Sequence, residues 1–426
     1  MKKLRRILAA ALTLALLIPT AAQANAAQTE QMRGVWVSSV YNLDYPSQPT
    51  VSAETLRAEA DTILDNVVRA GLNTVFLQVR PTSDALYDSD IFPWSQWLTG
   101  TQGTAPADGF DPLEYWIQAA HERGLELHAW LNPYRITRDQ NWDALDPSNP
   151  AKLHTDWTVL YSDGNYYYDP GLPEVRQLVV DGAVEIAENY DVDGIHLDDY
   201  FYPGQDFDDA DTYAQYGAGF DDIGDWRRDN VNQLVAMLDT AIHQVDAQLE
   251  FGISPAGVWA NQSTDPRGSQ TNGGNESYVR AYADTLAWIE AGTVDYVIPQ
   301  IYWEIGHPAA DFATLTDWWI EQVAGTDVAL YIGIAAYKCH DATPPTWTTT
   351  QPVLESLDYL AARPEVSGAV FFRYGSLTAV DGLLTDLAGW YSQNPTQEVP
   401  ENAFPGPSET LTFAGAFTML LNALIR

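Results

Sequence analysis

The chain is poor in cysteine and in basic residues. Its 426 residues include one cysteine, Cys339, and 21 Lys and Arg against 58 Asp and Glu. A single cysteine excludes an internal disulfide, so we expect Cys339 to pack as a small hydrophobic side chain. A formal net charge of −37 at pH 7 argues against nucleic acid and anionic lipid as partners, because both would repel the protein.

Several catalytic and metal-binding motifs are also missing. The chain has no GxSxG elbow of a serine hydrolase and no HExxH or clustered Cys/His pattern. The acidic run of Asp206, Asp208, Asp209 and Asp211 lacks the spacing and glycine of an EF-hand loop. We therefore expect no metal site and no cofactor.

Long apolar runs occur only near the two ends. Residues 1–27 have the basic start, apolar stretch and small-residue cleavage site of a secretory signal peptide, with no cysteine after it for a lipid anchor. We therefore expect a secreted or cell-envelope protein. Residues 393–408 are rich in proline and polar residues and are predicted to form a linker.

The last 18 residues, 409–426, form a short apolar segment. This segment is too short for a confident membrane span, so we expect no transmembrane domain in the mature protein. It could dock on the folded domain or on a partner, or it could associate with a membrane surface.

The middle of the chain alternates short apolar runs with helical segments, a pattern typical of βαβ units. We predict one (β/α)₈ TIM barrel over residues 30–392, of class α/β, with long βα loops at 87–111 and after the fourth strand. The predicted strands cover residues 34–40, 74–80, 126–132, 194–198, 250–255, 296–302, 329–335 and 368–374.

The fourth predicted strand, within "DVDGIHLDDYFYP", carries the strongest signal for chemistry. Alternate side chains of a strand point to opposite faces, so His196 and Asp198 should point into the barrel while Ile195 and Leu197 pack under the helices. Asp199 should lie at the rim, turned away from the axis.

The same alternation, applied to the other strands, collects polar and aromatic side chains at the C-terminal end of the barrel. Aromatic faces and paired donors and acceptors suit a carbohydrate. His128 and His196 could be either hydrogen-bonded core residues or sugar contacts. The predicted substrate-binding residues are Trp36, Gln78, Arg80, His128, Trp130, Asn132, Tyr134, His196, Tyr200, Gln300, Tyr302 and Arg373.

Glycosidic cleavage requires two carboxyl groups. Asp198 and Glu304 are the first candidates, with Asp199 as the substitute if Glu304 lies too far away. Asp198 could instead be a structural acid, Glu304 a solvated loop residue, and Asp199 the cap of a turn.

Arginines near the barrel mouth could hold an anionic group of the substrate. Arg80, Arg135 and Arg373 are the candidates, since a strongly acidic enzyme needs local positive charge to admit an anionic glycan. The alternative is structural ion pairing with Asp84 or Asp198.

Six ordered blocks resemble the glycosyl hydrolase-like 10 family over residues 32–391. The resemblance implies a (β/α)₈ barrel, export, and glycosidase activity on bacterial cell-wall glycan, particularly peptidoglycan strands without stem peptides. Another polysaccharide, or a glycan-binding barrel without catalysis, stays open. The blocks are "MRGVWVSSVYNLDYPS", "GLNTVFLQVRPTSDALY", "GLELHAWLNPYRI", "DGIHLDDYFYP", "FGISPAGVW" and "DYVIPQIYWE".

The fourth-strand block is also similar to two wider groups of barrel glycosidases. Alpha-amylase-type enzymes have their nucleophile where Asp198 stands, but their acid Glu lies on strand five, where this chain reads "GISPAG". Chitinase-type enzymes have their acid Glu at the position of Tyr200. Both departures leave the identity of the acid open.

Overall fold

The computed structural model describes residues 31–273, 275–340 and 345–395. The predicted signal peptide at 1–27, residues 396–408 of the predicted linker and the apolar segment 409–426 lie outside the described residues.

Eight parallel strands close into a barrel, because the first strand pairs with both the second and the last. This arrangement confirms the predicted (β/α)₈ fold. The barrel strands are β1 Met32–Val37, β2 Thr74–Arg80, β3 Glu126–Leu131, β6 Gly194–Leu197, β7 Glu250–Ile253, β8 Tyr296–Val297, β9 Ala329–Ile334 and β10 Gly368–Phe371, and a separate hairpin joins β4 Thr158–Leu160 to β5 Tyr166–Tyr168.

Helices surround the barrel and fill the long βα loops. The first of them begins at the N-cap Ser52, whose hydroxyl accepts a hydrogen bond from the Thr55 amide. The helices are α1 Ala53–Arg69, α2 Gln96–Thr99, α3 Pro112–His121, α4 Pro150–Leu153, α5 Pro173–Asn189, α6 Ala210–Tyr216, α7 Ile223–Val245, α8 Ser277–Arg280, α9 Thr285–Ala291, α10 Phe312–Val323, α11 Gln351–Ala361, α12 Tyr374–Ala379 and α13 Leu383–Gln393.

Most predicted strands extend beyond the observed ones at their C-terminal ends. β6 ends at Leu197 rather than at residue 198, and β8 at Val297 rather than at residue 302. Beyond these points the backbone leaves the regular ladder, and Gln300 keeps only single bridges to Ala256 and Gly333. The regular alternation of inward and outward side chains therefore ends just before the polar residues that follow β6 and β8.

The barrel interior is filled by large rings facing glycines. His128 packs on Phe76 with ring centroids 4.9 Å apart, and a Cβ on Gly194 would lie 2.2 Å from His128 Nδ1. Likewise, a Cβ on Gly252 would lie 2.1 Å from the ring of Tyr296. The glycines make room for a close-packed plug beneath the barrel mouth.

Two residues discussed in the sequence analysis, Cys339 and Asp209, are buried outside the barrel strands. Cys339 is buried in the main hydrophobic core, where burial raises the pKa of its thiol to about 11. Asp209, from the acidic run, forms a buried ion pair with Arg227 at 2.5 Å. Among the helices of the described ranges, none combines the length and the apolar character required to span a membrane.

Candidate active site

A cavity of about 430 Å³ opens at the C-terminal end of the barrel strands. In barrel enzymes this end holds the chemistry. The cavity is lined by Trp36, Ser38, Val40, Tyr41, Leu43, Gln78, Trp130, Arg135, Arg138, Asp198, Asp199, Tyr200, Ser254, Asn275, Gln300, Tyr302, Tyr337 and Phe372.

A larger cleft of about 1130 Å³ lies on the outside of the barrel between α3 and α5. Its wall carries carboxylates such as Asp111, Glu114 and Glu185, and His121 is the only basic side chain among its lining residues. The smaller cavity is the better candidate for the active site, because a binding site needs donors and acceptors that converge on one ligand. The smaller cavity has such groups.

Asp198 is the buried carboxylate at the centre of the cavity. Its Oδ2 accepts hydrogen bonds from Trp130 Nε1 at 3.1 Å and from Asn132 Nδ2, and its Oδ1 accepts one from the Tyr200 amide at 3.1 Å. Burial raises the pKa of Asp198, while the Arg135 charge and these donors act in the opposite direction. The net pKa of Asp198 is raised, and the three donors limit that rise by stabilising the ionised form.

Asp199 also lines the cavity, so the prediction that it turns away from the axis is wrong. Because β6 ends at Leu197, consecutive side chains beyond it can share one face. Asp199 Oδ1 accepts a hydrogen bond from Gln300 Nε2 at 3.0 Å. Burial in the barrel mouth, together with the negative charge of Asp198, raises the pKa of Asp199 to about 7.

An amide relay fixes the position of Asp198. Gln78 Oε1 accepts hydrogen bonds from the Ser38 hydroxyl and from the Ser39 and Val40 amides at 2.9–3.1 Å. The Gln78 amide group must therefore point its Nε2 towards Asn132 Oδ1, to which it donates at 2.7 Å. Asn132 in turn points its own NH₂ group at Asp198.

Aromatic side chains form the cavity walls. Trp36, Trp130, Tyr200 and Tyr302, which were among the predicted substrate-binding residues, lie there. The buried Tyr302 hydroxyl has no hydrogen-bond partner among the described residues.

Sequence reasoning missed other lining residues, including Tyr41, Arg138, Ser254, Asn275 and Tyr337. Ser254 and Tyr337 lie just after barrel strands, where a search of every strand end would have found them. Tyr41, Arg138 and Asn275 lie on loops, and no periodicity marks a loop side chain that folds back over the barrel.

His128 and His196 lie inside the barrel beneath the cavity and do not line it, so the structure supports hydrogen-bonded core residues rather than sugar contacts. His196 Nε2 accepts from Trp36 Nε1 at 3.2 Å and lies 3.0 Å from Ser254 Oγ. His128 Nδ1 lies 3.0 Å from the Tyr296 hydroxyl. Burial lowers the pKa of both imidazoles, that of His128 to about 4, so both are neutral at pH 7.

Arg80 was predicted to point into the cavity and does not. A register irregularity between Gln78 and Arg80 reverses the alternation, so Arg80 turns outward. Its guanidinium lies 3.9 Å from the ring centroid of Phe92, under α5 where Gly182 leaves room for it.

The predictions that Tyr134 and Arg373 line the cavity are also wrong. β3 ends at Leu131, and beyond it Arg135 rather than Tyr134 faces the cavity. Tyr134 is fully buried elsewhere. Arg373 forms an ion pair with Asp44, and its neighbour Phe372 takes the place on the cavity wall.

Glu304 does not line the cavity, so the geometry does not support its pairing with Asp198. It is half-buried, and it accepts a hydrogen bond from Trp347 Nε1 at 2.9 Å. Partial burial raises the pKa of Glu304, but the Trp347 hydrogen bond and other favourable contacts exceed this effect, and the net pKa is lowered. A carboxyl group that stays ionised in this way is a poor general acid.

We expect Glu304→Gln to change kcat on a glycan substrate by less than about threefold, because the amide oxygen can still accept from Trp347 and the group lies outside the cavity. Steady-state kinetics beside Asp199→Asn as a positive control measures this. A loss of turnover as large as that of Asp199→Asn would restore Glu304 as the acid.

The comparisons with known proteins identify the family of the chain. The model of the glycosyl hydrolase-like 10 family matches residues 31–349. Glycosyl hydrolase YngK of Bacillus subtilis (strain 168) is 43% identical over 375 residues, which are 85% of this chain and 73% of that protein. Glycosyl hydrolase DigH of Escherichia coli (strain K12) is 40% identical over 369 residues, 81% of this chain and 83% of that protein.

Among solved structures, the PgaB (BpsB) glycoside hydrolase domain from Bordetella bronchiseptica superimposes with a TM-score of 0.55 at 13% identity. The match covers 84% of this chain and 98% of that one, and it supports the barrel fold alone. The family match and the two relatives go further: the chain belongs to the glycosyl hydrolase-like 10 family and is a glycoside hydrolase.

Proposed function

We propose that this protein is an exported glycoside hydrolase that cleaves bacterial cell-wall glycan, specifically peptidoglycan strands without stem peptides. The observation that carries the proposal is the pair of consecutive carboxyl groups in the cavity, one of which has a pKa of about 7. Among the described lining residues, Asp198 and Asp199 are the only carboxylates.

Asp199 has the properties of the general acid. A proton donor works best when its pKa lies near the operating pH, because it is then both protonated and able to release its proton. With a pKa of about 7, Asp199 carries a proton in a large fraction of molecules at neutral pH. It would protonate the glycosidic oxygen as the bond to the anomeric carbon breaks.

Asp198 has the complementary role of the ionised carboxylate. Burial raises its pKa, but three hydrogen-bond donors and the nearby Arg135 oppose that rise, whereas the pKa of Asp199 is raised by burial and also by the charge of Asp198. An anion here would act as the nucleophile, or would stabilise the positive charge that develops on the sugar ring. Loss of the Asp198 charge would also lower the pKa of Asp199, so the two roles depend on each other.

The cavity walls support a sugar polymer as the substrate. Trp36, Trp130, Tyr200 and Tyr302 offer ring faces, and Gln300 and Ser254 offer polar groups beside the acids. Export rests on the apparent signal peptide at 1–27. Cell-wall glycan is a polymer that an exported bacterial enzyme would meet.

The pH dependence of kcat/KM tests the assignment of the acid. Asp199 must be protonated, so kcat/KM should fall about tenfold per pH unit above its pKa of about 7. On the acid side, activity should fall as Asp198 becomes protonated. Measured on peptide-free glycan strands, a profile that stays flat from pH 7 to pH 9 would contradict Asp199 as the acid.

The same pKa predicts a stability effect. The folded state holds a proton on Asp199 that the unfolded chain releases near the ordinary carboxyl pKa of about 4. Its contribution to the free energy of unfolding is therefore lost progressively from about pH 4 to its folded pKa of about 7 and is constant above that.

A further inference from the structure

Two guanidinium groups face the same cavity as the acids. Arg135 and Arg138 line it, and neither forms a salt bridge with a carboxylate in the part of the chain that the structure describes. Elsewhere arginines such as Arg123, Arg227 and Arg363 are ion-paired. Arg135 acts through its charge on Asp198 and Asp199, and Arg138 acts on Asp163 and forms a side-chain hydrogen bond with Tyr167. Neither guanidinium is held in a direct ion pair that would keep it from an anionic ligand.

Both guanidinium groups are positioned by aromatic rings. Arg135 lies 4.6 Å from the ring centroid of Tyr200, and Arg138 lies 5.7 Å from that of Tyr41. The Tyr41 hydroxyl donates to the Arg138 carbonyl at 2.6 Å, which ties this ring to the Arg138 backbone. A cation–π contact of this kind restrains a guanidinium group without using its N–H donors, which can then bind an anion.

Arg135 and Arg138 each have hydrogen-bond donors that the described residues leave unused. The Nε atoms of Arg135 and Arg138 are buried and have no hydrogen-bond partner among the described residues. The side-chain hydrogen bond from Arg135 to the Pro81 carbonyl is long, at 3.4 Å. Because these Nε atoms have almost no exposed surface, an anion in the cavity would contact the terminal nitrogens of the two guanidinium groups.

The charge balance of the cavity favours an anionic ligand. When Asp199 is protonated and Asp198 is ionised, the residues described as lining the cavity include two positive guanidinium groups and one negative carboxylate. The net charge of the protein repels an anionic glycan, whereas the two guanidinium groups of this cavity attract one.

We propose that Arg135 and Arg138 form an anion subsite that binds a carboxylate carried by the glycan. The proposal rests on the proposed function and names the feature of the substrate that is selected. Each muramic acid of a peptide-free strand exposes a lactyl carboxylate, whereas a stem peptide converts that carboxylate into an amide. A glycan of hexuronic acids carries the same group, and the test separates the two sources.

The test compares peptide-free strands with the same strands after their lactyl carboxylates have been converted to methyl amides. Charge-assisted hydrogen bonds contribute about 1.5–3 kcal/mol, so amidation should lower wild-type kcat/KM about 10- to 100-fold, mainly through KM. Arg138→Gln should lose part of this factor on the untreated strands and should respond less to amidation than the wild type does, because Arg135 remains in the subsite. Arg135 is less suitable for this test because its charge also acts on Asp198.

The matched control is Arg69→Gln, which removes the same charge from the outer end of α1. It should discriminate between the two strands as the wild type does. The comparison of the two substrates on the wild type needs no variant, so it decides the question even if Arg138→Gln folds poorly. Equal kcat/KM on both strands would overturn the subsite and leave the hydrolase proposal intact.

If the wild type cleaves neither strand, the proposed function fails, and binding still tests the subsite. Calorimetry would compare N-acetylglucosaminyl-N-acetylmuramic acid with its methyl amide and with an oligo-hexuronate. Tighter binding of the muramic acid by about tenfold or more supports the lactyl group as the source. Preference for the oligo-hexuronate supports the subsite with the other source, and equal binding of all three overturns it.

Discussion

Asp199→Asn should lower kcat/KM on peptide-free glycan strands by about 10²- to 10⁴-fold, the range that positioned general acids contribute. Asparagine keeps the size of the side chain and can accept the hydrogen bond from Gln300, but it has no acidic proton to donate. The alkaline limb of the pH profile should disappear together with the activity. The matched control is Asp208→Asn, an exposed aspartate of the same loop, which should leave kcat/KM unchanged.

An aryl glycoside substrate distinguishes the role of Asp199 from that of Asp198. A para-nitrophenolate leaving group needs little protonation, so Asp199→Asn should lose far less activity on a para-nitrophenyl glycoside than on glycan strands. Asp198→Asn should be slow on both substrates, because stabilisation of the anomeric carbon is needed whatever the leaving group. The opposite pattern for the two variants would exchange the roles of the two carboxyl groups.

Gly194→Ala should lower the free energy of unfolding by about 3 kcal/mol, at the upper end of the usual cost of overpacking a core. The new methyl carbon would lie 2.2 Å from Nδ1 and 2.5 Å from Cε1 of His128. The imidazole has little room to move, since the rings of Phe76 and Tyr296 lie 4.9 and 5.6 Å from it. Denaturant unfolding followed by circular dichroism measures the change.

Gly389→Ala is the matched control for this substitution. Gly389 lies inside α13, and a Cβ there would meet no atom within 4 Å. Alanine has the higher helix propensity, so this variant should gain up to about 1 kcal/mol. Unchanged stability of Gly194→Ala would show that the barrel interior adapts to an added methyl group, contrary to the packing described above.

The sequence predicted the features that follow from regular geometry. Alternation along the predicted strand 194–198 placed Ile195 and Leu197 against the helices, with His196 and Asp198 on the inner side. The hydrophobic pattern located all eight barrel strands, because each parallel strand is a short apolar run between helices. These predictions needed only the period of a strand.

The wrong predictions concern residues that lie where the regular geometry of a strand is interrupted or has ended. Asp199 and Tyr134 lie beyond the last paired residue of their strands, so the alternation no longer applied. Arg80 follows a register irregularity that no residue type announces. Glu304 was placed by extending β8, which ends at Val297. The partners of such residues are set by contacts between distant loops, which a single sequence does not display.

The products of peptide-free peptidoglycan strands test the central claim most directly. Purified protein, incubated with strands of defined length, should yield shorter glycans in which each cleavage has added one water and created a new reducing end. Mass spectrometry resolves these products, and Asp199→Asn should yield almost none in the same time. Strands that stay intact with wild-type protein, or products with anhydro ends and no added water, would contradict hydrolysis by the Asp198–Asp199 pair.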